Sequence, residues 1–160
     1  MTAMTTYQWL LGLHVVAAFF FLSGGVMVGL VHATAMRRER PSEVAYLLGL
    51  TRIGVVVVTV GALGSLALGL ALVAHLPYRS IGDTWIAVSL ALWAASLVLG
   101  AIGGRSARKT RHLAEQLARD GDTPSPELRR LLTDPTAFAL NFGSLLAALV
   151  VLALMIWKPA

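Results

Sequence analysis

The chain has 160 residues, of which 57% are apolar and 13% charged, with a net charge of +5 and a mean hydropathy of +0.75. A soluble domain usually carries about 25% charged residues, and a chain of this size cannot bury so much apolar surface in water. The composition therefore asks for a bilayer, and the absence of cysteine excludes disulfides, thiolate chemistry, Cys-ligated zinc and iron–sulfur clusters.

Four apolar runs are each long enough to cross about 30 Å of hydrocarbon: residues 9–31, 53–74, 84–104 and 136–157. The first span lacks a preceding Lys or Arg and its apolar run is too long for a signal peptide, although Ala33-Thr34-Ala35 has the look of a cleavage site; it is expected to be retained. Inside the first span stands His14, about one and a half turns from its start. The connection after that span holds Arg37, Arg38 and Arg40, with Arg52 at its end and Ser42 as a candidate cap for a helix beginning at Glu43. The second span carries Gly61, Ser65 and Gly69 at four-residue spacing and ends at His75.

A short connection with Arg79 as its basic residue leads to the third span, where Ser96, Gly100 and Gly104 repeat that spacing. Helix is expected to continue past Arg105, because Leu113 and Leu117 lie one turn apart and Arg111, Glu115 and Arg119 form an i, i+4 ladder. Gly121 is the expected stop. Ser125-Pro126 and Asp134-Pro135 are start signals for a short helix and for the fourth span. The expected fold is all-α: one integral membrane domain over residues 1–160, an up-and-down four-helix transmembrane bundle with helical cytoplasmic extensions. Small residues let helix backbones approach closely in lipid, where hiding apolar surface from water brings no gain.

Arginine partition sets the expected orientation. The connections after spans one and three hold nearly all the basic residues, while the other side has Arg79 and Lys158. By the positive-inside rule the basic connections face the cytoplasm and both termini face outward across the inner membrane. The sequence pI of 10.5 then reflects a cytoplasmic rim rather than nucleic-acid binding. The lipid bilayer is the expected surrounding, with a second copy or another membrane protein as candidate partner.

Chemistry centres on His14. An ionisable side chain inside an apolar helix is costly unless it meets protein, water or a cofactor, so it either ligates haem or a metal, bonds to a neighbouring helix, or relays protons. His14 and His32 are five turns apart on one face, about 27 Å along the axis, and cannot share one metal. His75 is the other imidazole at the outer level and the candidate second metal ligand beside His14. At the cytoplasmic level His32, Arg52 and Asn141 form a polar set suited to a headgroup or to haem carboxylates, and Gly25 leaves room for a flat group. The spans contain no Asp, Glu or Lys, no paired carboxylates, no phosphate-cradling loop and no serine with an acid and a histidine. A cofactor-borne reaction or a non-catalytic role survives.

Trp9-Leu-Leu-Gly-Leu-His14, the aromatic run after it, Ser23-Gly24-Gly25 and His32 resemble a bacterial family of small predicted integral membrane proteins of uncharacterised function. The first span is also similar to those of copper-resistance D membrane domains and of the four-helix, haem-binding type of protoporphyrinogen IX oxidase. Those groups have a first-helix histidine followed by a glycine about ten residues later, positions matched by His14 and by Gly24 or Gly25. The resemblance implies haem b, or a related metal centre, bound through His14 in a redox or haem-handling role. The oxidase-like group carries a functional lysine in a later helix, whereas this chain has no lysine between Met1 and Ile102. A non-catalytic membrane subunit and a copper-transport-like protein are the alternative expectations.

Overall fold

A computed structural model describes residues 5–75 and 83–157. The described residues form five helices and no strand: α1 (Thr6–Ala35), α2 (Pro41–His75), α3 (Thr84–Arg119), α4 (Pro126–Leu132) and α5 (Pro135–Trp157). Four apolar segments, borne by α1, α2, α3 and the α4–α5 stretch, are long and apolar enough to cross a membrane. The chain is therefore all-α, with four long helices in a bundle-like arrangement. Arg79 and Lys158 lie outside the described residues.

Helix ends follow local chemistry. Thr5 and Gln8 form a reciprocal capping box at the start of α1, Gln8 N donating to Thr5 Oγ1 at 3.3 Å and Thr5 N to Gln8 Oε1 at 2.9 Å. Asp134 Oδ1 accepts from Thr136 N at 3.0 Å as α5 begins at Pro135. The end of α3 is as Gly121 implies: the helix stops at Arg119, Gly121 has φ +119° and Asp122 φ +55°, and Asp122 N donates to Leu117 O at 3.0 Å. Ser42 departs from expectation. Helix α2 already begins at Pro41, and the backbone N–H and hydroxyl of Ser42 both donate to the Asp122 carboxylate at 2.7 Å.

Two tight antiparallel pairs, α1 with α2 and α3 with α5, are joined chiefly by α2 against α3, whereas α1 and α5 touch sparingly. On α1 the seam toward α2 runs through His14, Ala17, Phe21, Gly24 and Val28, alternating steps of three and four as in a coiled coil. Glycines on each of these helices admit the backbone of the other. A Cβ at Gly61 would collide with the main chain of Phe21 and lie 2.8 Å from Ala17 O, and one at Gly24 would lie 2.8 Å from Val58 N. Between α3 and α5, Ser144 Oγ donates to Ser96 O at 2.7 Å and the Asn141 side chain fills the space left by Gly103. The expected four-residue register of Ser96, Gly100 and Gly104 is corrected here: Gly103 faces α5, while a Cβ at Gly104 would meet nothing within 4 Å. A regular helix turns 100° per residue, so a straight i, i+4 ridge drifts off the contact and the seam takes a three-residue step.

The most completely buried apolar cluster lies at the basic end. Ala35, Val44, Leu48, Ala114, Leu128 and Leu132 form a core in which the ends of α1 and α3 meet the start of α2 and the whole of α4. Water supplies the hydrophobic drive beyond the hydrocarbon, so side chains there are hidden from solvent, whereas Val56, Val60 and Phe19 in the spans are exposed for lipid. Arg129 Nη1 donates to Met36 O at 2.6 Å, His32 Nε2 lies 3.2 Å from Leu132 O, and Arg111 pairs with Glu115 at 3.2 Å. The first two contacts tie α4 to the end of α1, and the third is an i, i+4 pair within the α3 extension.

Candidate functional site

The α1–α2 seam ends at His14, and the imidazole is seated by an absent side chain. A Cβ at Gly69 would lie 3.1 Å from His14 Cε1 and 3.5 Å from Nδ1, so the ring rests against bare α2 backbone with the Ser65 main chain beside it. His14 is 7% exposed, and its Nδ1 is fully buried without a hydrogen-bond partner. A polar ring atom so placed is expensive to keep in an apolar interior.

Beside the ring opens a cleft of about 470 Å³, within the range of small-molecule sites. All four long helices line it: Tyr7, Leu11 and Ala18 of α1, Ser65 and Leu66 of α2, Trp85, Ser89 and Trp93 of α3, and Val151, Leu152 and Met155 of α5. The walls are almost wholly aliphatic or aromatic. Some lining side chains, Phe19 and Ile156 among them, are exposed on the outer surface of the bundle, so this is a cleft rather than a closed chamber. Sparse α1–α5 contact leaves the space, because no small-residue seam draws those two helices together.

The other sequence candidates lie elsewhere. His75 is exposed at the end of α2 and does not line the cleft, so the structure does not bring a second imidazole to His14. Arg52 is exposed, Asn141 is packed on Gly103, His32 is engaged with Leu132, and a Cβ at Gly25 would face Leu145 of α5 at 3.6 Å. None of these four lines the cleft. Among the described residues no group of three or more His, Asp or Glu side chains is placed to hold a metal ion.

Gly69 and Trp93 belong to the site although their sequence signals were ordinary. Gly69 reads as one more small residue on a packing stripe, and Trp93 gains meaning only from lying one turn beyond Ser89, on the same face of α3.

A model of the family described as "Predicted integral membrane protein (DUF2269)" matches residues 8–159 of the chain. No curated protein and no solved structure matches it.

Proposed function

Because the chain belongs to the DUF2269 family of predicted integral membrane proteins, we propose a function exercised inside the bilayer: the cleft holds b-type haem, with His14 as its protein ligand, in a redox or haem-handling role. The observation that carries this reading is a buried imidazole, its Nδ1 edge against α2, at the wall of an apolar cleft that all four long helices build. A solitary histidine suits a porphyrin, which brings four nitrogens of its own, better than a bare ion that draws three or four ligands from side chains. The Nδ1 edge of the ring faces α2, which leaves Nε2 as the ligating atom, while the Ser65 main chain is the nearby group that would fix the tautomer. Haem would supply one-electron chemistry; the protein's part is to seat the ring against Gly69, exclude water with aliphatic and aromatic walls, and set the polarity around the group. We place the basic end in the cytoplasm and the His14 end at the outer side of the inner membrane, on the arginine partition.

The test is the absorption spectrum of the full-length protein purified in detergent after expression with added haem. A Soret band that is lost or shifted in His14→Ala and unchanged in His112→Ala is the expected result. His112 is the control because it is exposed, 3.5 Å from Glu115 on the outside of α3. A colourless parent would overturn the haem reading and favour a non-catalytic subunit that docks against another membrane protein.

A further inference from the structure

Ser89 is an exception among the hydroxyls of this bundle. Ser23, Ser65, Ser96, Thr59 and Thr110 each donate to a carbonyl three or four residues earlier in their own helix, which is how a helical hydroxyl avoids being orphaned in lipid. The Ser89 hydroxyl makes no such bond, although the residue is only 5% exposed. Trp93, one turn further along α3, likewise has a buried Nε1 with no partner. Both residues line the same cleft as His14. In an interior with so few polar atoms, two unpartnered donors one turn apart on one helix face beside the cleft mark a site whose hydrogen bonds are completed by what binds there.

We infer that Ser89 Oγ and Trp93 Nε1 are paired donors for an acceptor oxygen carried by the molecule in the cleft, so that its occupant is an apolar ring system bearing a carboxylate or a carbonyl. An indole N–H can only donate, and a serine hydroxyl can donate as well as accept, so the pair selects an acceptor. The two side chains are spaced i, i+4 and therefore stand one above the other on one helix face. Haem carries such oxygens on its carboxylates; a membrane-soluble quinone carries them on its ring. The inference rests on the cleft being a ligand site, as in the haem reading, but not on the ligand being haem. It assigns oxygen recognition to α3, which leaves Arg52 at the basic end out of that role.

The experiment titrates the detergent-purified full-length protein with haemin, read by absorbance, and separately with decylubiquinone, read by quenching of tryptophan fluorescence. Parent, Ser89→Ala, Trp93→Phe and Ser23→Ala are compared; Trp85 stays in the cleft wall as reporter in all of them. Loss of either donor is expected to weaken binding of whichever probe the parent holds by about five- to tenfold, the effect of one hydrogen bond, with Ser23→Ala unchanged. Melting temperatures of Ser89→Ala and Trp93→Phe should equal or exceed that of the parent, since each removes an unsatisfied buried group. Quinone binding that depends on Ser89 and Trp93, without haemin binding, would support this inference and overturn the haem reading. Haemin binding that is indifferent to both substitutions would do the reverse. Binding of neither probe, or a lowered melting temperature in Ser89→Ala, would overturn the inference.

Discussion

The imidazole of His14 occupies the space left by the missing side chain of Gly69, where a Cβ would fall 3.1 Å from His14 Cε1. Substitution at residue 69 consequently acts on the ring rather than on the helix pair as a whole. Gly69→Ala asks the ring to give by a few tenths of an ångström and should cost less than about 1 kcal/mol while shifting or weakening a haemin spectrum. Gly69→Leu should abolish that spectrum. If the Leu variant binds haemin as the parent does, His14 is not the group's contact.

The glycines should rank by what a new methyl group meets. At Gly61 it meets the backbone of Phe21 and Ala17, which cannot yield unless α1 and α2 separate, so Gly61→Ala should cost at least the roughly 1–3 kcal/mol typical of overpacking, and Gly61→Leu more. At Gly100 it meets the Ser144 hydroxyl at 3.1 Å, a side chain that can move at the expense of its bond to Ser96. Gly100→Leu should therefore destabilise less than Gly61→Leu. Gly12 is open, and Gly12→Ala should melt like the parent. Equal melting temperatures for Gly61→Ala and Gly12→Ala would show that the seam between α1 and α2 has been placed wrongly.

The Asp122 carboxylate, which lies outside the spans, is held below its ordinary pKa by the bond from the Ser42 hydroxyl, then by the Ser42 N–H, with Arg40 adding a smaller electrostatic pull against partial desolvation. A depressed folded-state value means that the ionised form stabilises the folded protein at neutral pH, and that this contribution is lost as pH falls below about 4. Thermal melting in detergent between pH 7 and pH 3 should show a steeper acid loss for the parent than for Asp122→Asn, a residue that tolerates the positive φ at this position. Parallel pH profiles would remove the latch between α2 and the α3–α4 turn.

Cysteines placed singly at Ser80 and Ser106, in a chain that has none, should label from opposite faces of intact cells. Ser106 lies in α3 just beyond the third apolar run, at the end where the arginine-rich segments meet; Ser80 lies outside the described residues. Labelling of both from outside would contradict the proposed orientation.

What the sequence determined by itself is written in consecutive residues: four apolar runs, the helical extensions past Arg105, the stop at Gly121, the starts at Pro126 and Pro135, and the solitary histidine within a span. Those features depend on length, caps and turn chemistry, which act over a few positions of one chain. The tertiary structure alone decided that Gly103 rather than Gly104 meets α5, that Ser42 serves Asp122 instead of capping a helix, that Gly69 seats His14, and that His75, His32 and Arg52 stand away from the cleft. A helix that is apolar all the way round has no polar face to betray its rotation, and in lipid its partners are chosen by shape between residues far apart in the chain.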